Sequence, residues 1–215
     1  MRLKDLESAL QPLKVFESPK VMLEQYPTSA HLAARMLYNA HTAHDDIQDR
    51  SVLDLGCGCG VLGIGAALLE AAHVIGLDVD DDALRVARDN LEMLELEGQV
   101  DLMRARLSDS DDIKTLDLSR LANAFDTVIL NPPFGTKTKG IDIVFLSAAC
   151  KIATRAVHTL HKTSTRDFIA KKAKSLGFDA EVAAVMRYDL PATMKFHKQK
   201  SKDIEVDYWV LRRIP

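Results

Sequence analysis

The four residues Asn131-Pro132-Pro133-Phe134 follow an apolar run over residues 126–130 that is typical of a buried strand. Proline has no backbone N–H, fixes its own φ and favours extended geometry at the residue before it, so the pair predicts a stiff, non-helical segment. Such a segment would hold the Asn131 amide and the Phe134 ring in set directions. An amide acceptor beside an aromatic ring suits a flat chemical group that carries an amine.

A glycine-rich turn is the second candidate site. In "VLDLGCGCGVLGIGAALL", Gly56, Gly58 and Gly60 stand between an apolar strand and a helix of small residues. Glycines permit positive φ and let a ligand lie against bare backbone, while the first turn of the helix offers free N–H groups. The turn therefore predicts a ligand-binding site.

Two kinds of ligand fit this turn. Residues 58–63 match the G-x-G-x-x-G pattern of nicotinamide cofactors, with Asp78 following at the expected distance. However, the first glycine after the strand is Gly56, and from that start Val61 stands where the third glycine should be. Asp54 lies within the strand and completes the D-x-G-x-G-x-G turn found in methyltransferases. Asp78 ends the next strand, where a short anionic acceptor can hold two ribose hydroxyls.

Seven apolar segments bounded by turn residues predict the elements that position these sites. The predicted strands cover residues 51–55, 73–77, 100–103, 126–130, 156–160, 179–188 and 204–211. Helical periodicity predicts helices over residues 61–71, 80–94, 141–154 and 164–175, the last opened by Ser164. This alternation predicts an α/β fold with a doubly wound, mostly parallel seven-stranded sheet that ends in an antiparallel C-terminal hairpin.

The length of 215 residues, with 47% hydrophobic and 27% charged residues, is expected to form one domain. Residues 51–215 would form its core, and residues 1–50 a helical extension that contributes a lid loop over the ligand. The sequence shows no apolar stretch long enough for a bilayer, and its N-terminus, MRLKDLESAL, lacks the apolar centre of a signal peptide. A soluble intracellular protein without membrane contact is therefore expected.

The three cysteines, Cys57, Cys59 and Cys150, do not form a zinc-binding pattern. Two of them make a C-x-C within the glycine turn, where small packing thiols are the simpler interpretation. No metal is expected, and the compartment is expected to be reducing.

Charge is unevenly distributed along the chain. Residues 1–136 contain 12 basic and 23 acidic residues, a net charge of −11, whereas residues 137–215 contain 16 and 8, a net charge of +8. Two differently solvated faces would account for such a split. A polyanion-binding surface built by the C-terminal part would account for it equally well.

In this order, the glycine turn, Asp78 and the NPPF segment resemble class I S-adenosylmethionine-dependent methyltransferases that modify amines conjugated to a ring or carbonyl. The resemblance implies a Rossmann-like sheet with strand order 3-2-1-4-5-7-6. The amine lone pair of adenine is delocalised into its ring and is a poor nucleophile. Acceptors at the Asn131 side-chain oxygen and the Pro132 carbonyl would direct that lone pair at the methyl group, and Phe134 would stack on the unpaired base.

A closer resemblance extends over nearly the whole chain. The segments "FESPKVMLEQYPT", "DLGCGCGVLGIG", "NPPFGTK" and "RYDLPATMKFHKQKSKDIEVD" resemble the methyltransferase-like protein 5 family. The resemblance implies methylation of an adenosine N6 in small-subunit (18S) ribosomal RNA, in the cytoplasm and nucleus. It also implies a heterodimer in which a small zinc-binding methyltransferase activator protein completes this catalytic subunit. The third strand is the expected open edge for that partner.

Specific residue roles follow from this resemblance. Gln25 and Thr28 would line the S-adenosylmethionine site, and Asp78 would hold the ribose. Gly56, Cys59 and Val61 would form its floor. The family has an acidic residue after the third strand that holds the cofactor's adenine amine, but Arg106 stands here, so Asp109 is the expected substitute.

The segment "KFHKQKSK" before the last strand combines basic and aromatic residues suited to phosphates and one stacked base. The predicted RNA contacts are Lys195, Phe196, Lys198, Lys200 and Lys202. A solvated hairpin loop would have a similar composition. Two other functions stay open, namely a protein glutamine N5-methyltransferase, whose substrate amide is also a conjugated amine, and a cofactor-binding scaffold without catalysis.

Overall fold

The computed structural model describes residues 1–107, 120–191 and 201–214, with side chains left out at residues 189–191 and 201–203. The strands are β1 (Ser51–Leu55), β2 (His73–Asp78), β3 (Val100–Arg104), β4 (Phe125–Leu130), β5 (Ala153–Lys162), β6 (Phe178–Pro191) and β7 (Ser201–Arg213). They form one sheet in the order β3-β2-β1-β4-β5-β7-β6. The first five strands are parallel, and β7 pairs antiparallel with both β5 and β6. The predicted fold class and strand order are confirmed.

Helices cover both faces of the sheet. The α-helices are α1 (Leu3–Leu10), α2 (Ala30–Thr42), α3 (Val61–Leu68), α4 (Asp81–Met93), α5 (Ile141–Ile152) and α6 (Arg166–Ser175). The four helices α1, α2, α3 and α4 pack on one face of the sheet and form the first hydrophobic core with it. The helices α5 and α6 pack on the opposite face and form the second core. Alternation along β7 follows this division, since Tyr208 and Val210 belong to the first core and Trp209 and Leu211 to the second.

Small residues let α3 lie deep in the first core. Its glycine at position 65 packs so tightly that an added Cβ would lie 2.3 Å from Leu37 Cδ1 of α2. The helices α1 and α2 share this core with α3, and the segment just before α2 contacts the residue that follows β4. Among the described residues, none of the helices has both the length and the apolar character needed to cross a bilayer.

Several predicted boundaries are wrong. The helix predicted over 61–71 ends at Leu68, and Glu70 has a left-handed φ of 65°. The helix predicted over 141–154 ends at Ile152, because Ala153 already has extended geometry and begins β5. Ser164 does not open α6. It lies in a 3-10 helix, Thr163–Thr165, after which α6 starts at Arg166.

Candidate active site

The glycine turn joins β1 to α3 and is folded back onto β2. The N–H groups of Gly56 and Cys57 donate to Leu77 O over 2.8 and 3.0 Å. Gly56 and Gly58 have φ of 78° and 54°, and a Cβ at either position would lie 2.9 Å from the ring of Phe145 or Phe16, respectively. Glycine is therefore required here both by backbone conformation and by the close approach of two aromatic rings.

Asp54 lies beneath the turn and is 1% exposed. Its Oδ2 accepts the N–H of Gly63 over 2.7 Å, whereas Oδ1 is buried without a hydrogen-bond partner among the described residues. Burial raises the pKa of the Asp54 carboxyl to about 7. A cationic ligand group near Oδ1 would favour its ionised form.

Asp78 ends β2 beside the glycine turn. Its Oδ2 accepts the Gly58 N–H over 2.8 Å, and its Oδ1 accepts the Asp80 N–H over 2.9 Å. Burial raises the pKa of Asp78, while these N–H groups act in the opposite direction. Each carboxylate oxygen keeps a further lone pair, so a pair of ligand hydroxyls can still bind to a carboxylate whose direction is already fixed.

The N-terminal extension is tied to the start of α4 by a polar clamp. Gln25 Nε2 donates to Asp80 Oδ2 over 2.6 Å, and Gln25 Oε1 accepts the Lys20 N–H over 2.7 Å. Lys20 Nζ also bonds Asp80 and reaches Asp82 at 2.8 Å. Gln25 therefore lines the cavity, while its amide is hydrogen-bonded within the protein, and its role in cofactor binding stays a prediction.

A second set of hydrogen bonds, which the sequence did not predict, holds the N-terminal extension. Asn90 of α4 is fully buried and accepts the Lys14 N–H over 2.8 Å. Its Nδ2 donates to Lys14 O and to Cys59 O over 3.0 and 2.9 Å. The sequence does give a signal, since Asn90 is a polar residue on the otherwise apolar face of α4. It holds the extension against the glycine turn.

Asn131 comes directly after β4 and faces the extension. Its Nδ2 donates to Thr28 Oγ1 over 2.8 Å and to the Tyr188 hydroxyl over 3.1 Å. Its Oδ1 is buried and has no hydrogen-bond partner among the described residues. An unpaired buried acceptor costs about 1 to 3 kcal/mol, a cost that a bound N–H donor would remove.

The rest of the NPPF segment lies beside Asn131. Pro132 is buried and Pro133 lines a cavity. The Phe134 ring is only 9% exposed and packs edge-on against Tyr188, with ring centroids 5.8 Å apart. Little of that ring is exposed, and the stacking role expected for it stays a prediction. Lys162 Nζ lies 6.0 Å from the Phe134 centroid.

Two adjoining cavities of about 270 and 430 Å³ meet at the glycine turn. Residues that line both are Phe16, Tyr26, Gly56, Gly58 and Asn131. The first cavity is also lined by Gln25, Asp78, Arg106, Pro133 and Phe145. The second is also lined by Thr28, Asp54, Cys59 and Val61. The structure thus brings together the predicted site residues from the extension, the glycine turn and the NPPF segment.

Some predicted residues cannot be placed. Asp109, Lys195, Phe196, Lys198 and Lys200 lie outside the described residues, as does the side chain of Lys202.

The two cysteines of the glycine turn are protonated thiols. Burial raises the pKa of the Cys59 thiol to about 12 and that of Cys57 well above its usual range. Within the described ranges, no group of three or more His, Cys, Asp or Glu side chains could hold a metal ion.

The donor set fits an S-adenosylmethionine-type cofactor. Two glycines that line both cavities, a carboxylate at the end of β2 and an unpaired carboxylate oxygen at Asp54 suit a ligand with ribose hydroxyls and a cationic amine. Together with the strand order, they define a class I methyltransferase.

Relatives with curated descriptions narrow this class. The chain is 54% identical over 209 residues to the rRNA N(6)-adenosine-methyltransferase METTL5 of Danio rerio, covering 97% of each chain. It is 48% identical to Mettl5 of Drosophila melanogaster over 97% of this chain and 95% of the relative. The chain therefore belongs to the METTL5 family of methyltransferases.

Two further comparisons concern the fold and the first half of the chain. A solved structure from Pyrococcus horikoshii superposes with a TM-score of 0.85 at 34% identity, covering 100% of this chain and 99% of that one. Residues 28–131 match the family described as ribosomal protein L11 methyltransferase (PrmA). That match spans α2 and the strands β1 to β4 and ends at Asn131.

Proposed function

We propose that the protein transfers the methyl group of S-adenosylmethionine to the N6 amine of an adenosine in structured ribosomal RNA, namely the small-subunit (18S) RNA. The observation that carries the proposal is the Asn131 amide. Its nitrogen is engaged by two hydroxyl groups, and its buried oxygen is left unpaired where the two cavities meet. A conjugated amine supplies the N–H donor that this oxygen lacks.

The chain's own residues would act mainly by position. The Asn131 oxygen and the Pro132 carbonyl would each accept one amine hydrogen, which holds the exocyclic nitrogen with its lone pair free. The cofactor's sulfonium supplies an activated methyl group, so nucleophilic attack needs no strong base. Since Asn131 Oδ1 is covered in this structure, its neighbours must give way slightly when the base enters.

Cations around the NPPF segment support an anionic substrate. Lys137 and Lys139 follow the motif and are exposed, and Lys162 reaches the Phe134 ring. Residues 137–215, which carry the net charge of +8, supply β5, β6 and β7 at one side of the sheet. We place the RNA path on that side, with Lys195, Lys198, Lys200 and Lys202 of the hairpin at backbone phosphates and Phe196 stacked on a base.

The proposal includes a partner and a compartment. Among the residues that the structure describes, β3 is an edge strand of the sheet, with β2 as its paired neighbour. An open strand edge can be covered by a strand of another protein, and we propose the small zinc-binding methyltransferase activator protein as that subunit. The heterodimer would work in the cytoplasm and nucleus.

Asn131→Ala tests the proposed acceptor. We expect cofactor binding to stay nearly unchanged and most methyl transfer to be lost, because the missing oxygen serves the target amine. Calorimetry with S-adenosylhomocysteine measures the first quantity. Transfer of a labelled methyl group to total RNA, with nucleosides identified by mass spectrometry, measures the second.

A protein substrate is the alternative with a specific observation behind it, the match to the L11 methyltransferase family. That match ends at Asn131 and so does not include β5, β6 and β7, on whose side we propose the substrate path. A parallel assay on ribosomal proteins separates the two. Label in protein glutamine rather than in N6-methyladenosine, or full turnover by Asn131→Ala, would contradict the proposed function.

A further inference from the structure

Tyr188 lies near the carboxyl end of β6 and is 1% exposed. Its hydroxyl oxygen is 3.1 Å from Asn131 Nδ2, and it donates towards the main-chain oxygens of Tyr26 and Pro27, each at 3.1 Å. The same ring packs edge-on against Phe134. One hydroxyl group therefore joins the N-terminal extension, the NPPF segment and the C-terminal hairpin.

The direction of these bonds follows from what each atom can do. Main-chain carbonyl oxygens only accept, so the single Tyr188 hydroxyl proton is committed to Tyr26 O or Pro27 O. The hydroxyl oxygen is then left to accept, and from the Asn131 side chain it can accept only through the amide nitrogen. If the amide were rotated by 180°, its oxygen would face the lone pairs of the Tyr188 oxygen.

We propose that Tyr188 is a positioning residue for methyl transfer, because it fixes which end of the Asn131 amide faces the target amine. The inference rests on the proposed function of Asn131 as the acceptor of that amine. Thr28 alone cannot set this direction, because a threonine hydroxyl can turn to donate to an amide oxygen as readily as it accepts from an amide nitrogen. Tyr188 removes that freedom through the two carbonyl groups of the extension.

Ionisation does not disturb this arrangement near neutral pH. Burial raises the pKa of the Tyr188 hydroxyl to about 12, so the proton stays on the oxygen throughout the range of a normal assay.

Tyr188→Phe tests the inference, since it keeps the ring against Phe134 and removes only the hydroxyl. We expect kcat for methylation of total RNA to fall by about 5- to 10-fold, the equivalent of one hydrogen bond of about 1 to 1.4 kcal/mol. The dissociation constant for S-adenosylhomocysteine and the KM for RNA should change by less than about twofold. In Asn131→Ala the direction of the amide no longer matters, so adding Tyr188→Phe should leave its residual single-turnover rate unchanged.

Tyr208→Phe is the matched control. Tyr208 is also a buried tyrosine, 2% exposed, whose hydroxyl donates to Met36 O over 3.3 Å and lies 2.7 Å from His158 Nδ1. Its loss should lower the melting temperature to a similar degree and leave kcat unchanged. A purely structural role for Tyr188 would make the two variants behave alike.

The outcomes separate the two proposals. Wild-type kcat in Tyr188→Phe, with most turnover lost in Asn131→Ala, would overturn the positioning role and leave the proposed function in place. A further loss of rate when Tyr188→Phe is added to Asn131→Ala would also overturn it. Full turnover by Asn131→Ala would show that Asn131 is not the acceptor of the target amine, and both proposals would then be wrong.

A measurement on the wild-type protein covers the case in which Tyr188→Phe does not fold. Both amide protons of Asn131 should exchange slowly with solvent, because they donate to Thr28 and Tyr188. Nuclear magnetic resonance of protein with ¹⁵N-labelled asparagine side chains reports this exchange. Rapid exchange, at the rate of a solvated asparagine, would overturn the inference.

Discussion

Asp54→Asn is expected to change how stability depends on pH. Burial raises the pKa of the folded carboxyl to about 7, whereas an unfolded aspartate titrates near 4. Between these values the folded protein holds a proton that the unfolded chain has lost. The contribution of Asp54 to the free energy of unfolding is therefore fully present below about pH 4 and is lost as the pH rises towards 7.

The size of the effect follows from the shift. Each pH unit inside the window lowers the free energy of unfolding by about 1.4 kcal/mol, so the change from pH 5 to pH 8 is about 2 to 3 kcal/mol. Asparagine keeps an oxygen for the Gly63 N–H and carries no charge at either pH. The variant and the wild type should therefore be similar at pH 5, with the variant more stable by about 2 to 3 kcal/mol at pH 8.

Urea unfolding followed by the fluorescence of Trp209, the single tryptophan, measures this difference. Burial also lowers the pKa values of His158 and His161, the latter to about 4, which adds stability as the pH rises. Those contributions are common to both proteins and cancel in the difference. Parallel stability curves for wild type and Asp54→Asn from pH 5 to 8 would refute the reasoning.

The same group should couple pH to cofactor affinity. A cationic cofactor amine near the unpaired Asp54 oxygen favours the ionised carboxyl, so wild-type affinity for S-adenosylhomocysteine should rise between pH 6 and 8. Asp54→Asn should bind more weakly at pH 8 and show no such rise. An equal pH dependence of this affinity in both proteins would show that Asp54 does not interact with the bound cofactor.

Two further variants test other parts of the site. Asp78→Ala should weaken cofactor binding by about 1.5 to 3 kcal/mol, the range for a lost charge-assisted hydrogen bond, and wild-type affinity in calorimetry would show that Asp78 does not hold the ligand. Replacing four lysines before and in β7 by serine should reduce the slope of log binding constant against log salt concentration for RNA by up to about 3 to 4 units, with cofactor affinity unchanged. An unchanged slope would show that the RNA binds elsewhere. Those lysines are Lys195, Lys198, Lys200 and Lys202.

The parts of the fold that were predictable depend on local patterns. Alternation of strands and helices, together with turn residues, predicted the seven strands in their correct places, and the glycine turn predicted where β1 gives way to α3. Strand ends were less predictable. β5 begins directly where α5 ends, and β6 and β7 extend beyond their apolar segments, because backbone pairing continues where hydrophobicity stops.

The residues that sequence reasoning missed act across long separations. Asn90 bonds a main-chain segment 76 residues away, and Tyr188 bonds Asn131 across 57 residues. Each looks like an ordinary member of its own element, a polar residue on a helix and a tyrosine in a strand. Only the folded chain shows that the hydroxyl and the amide meet their partners inside the site.

The NPPF pattern therefore locates an amide without determining its direction. A sequence can place Asn131 at the end of β4, but oxygen and nitrogen of its side chain have nearly the same shape and differ only in whether they donate or accept. The carbonyl groups of Tyr26 and Pro27 accept the Tyr188 hydroxyl proton, so the hydroxyl oxygen accepts from the amide nitrogen of Asn131. The amide oxygen then faces the other way. The direction of the acceptor is thus set jointly by the N-terminal extension, which provides the two carbonyl groups, and by β6, which provides the hydroxyl group.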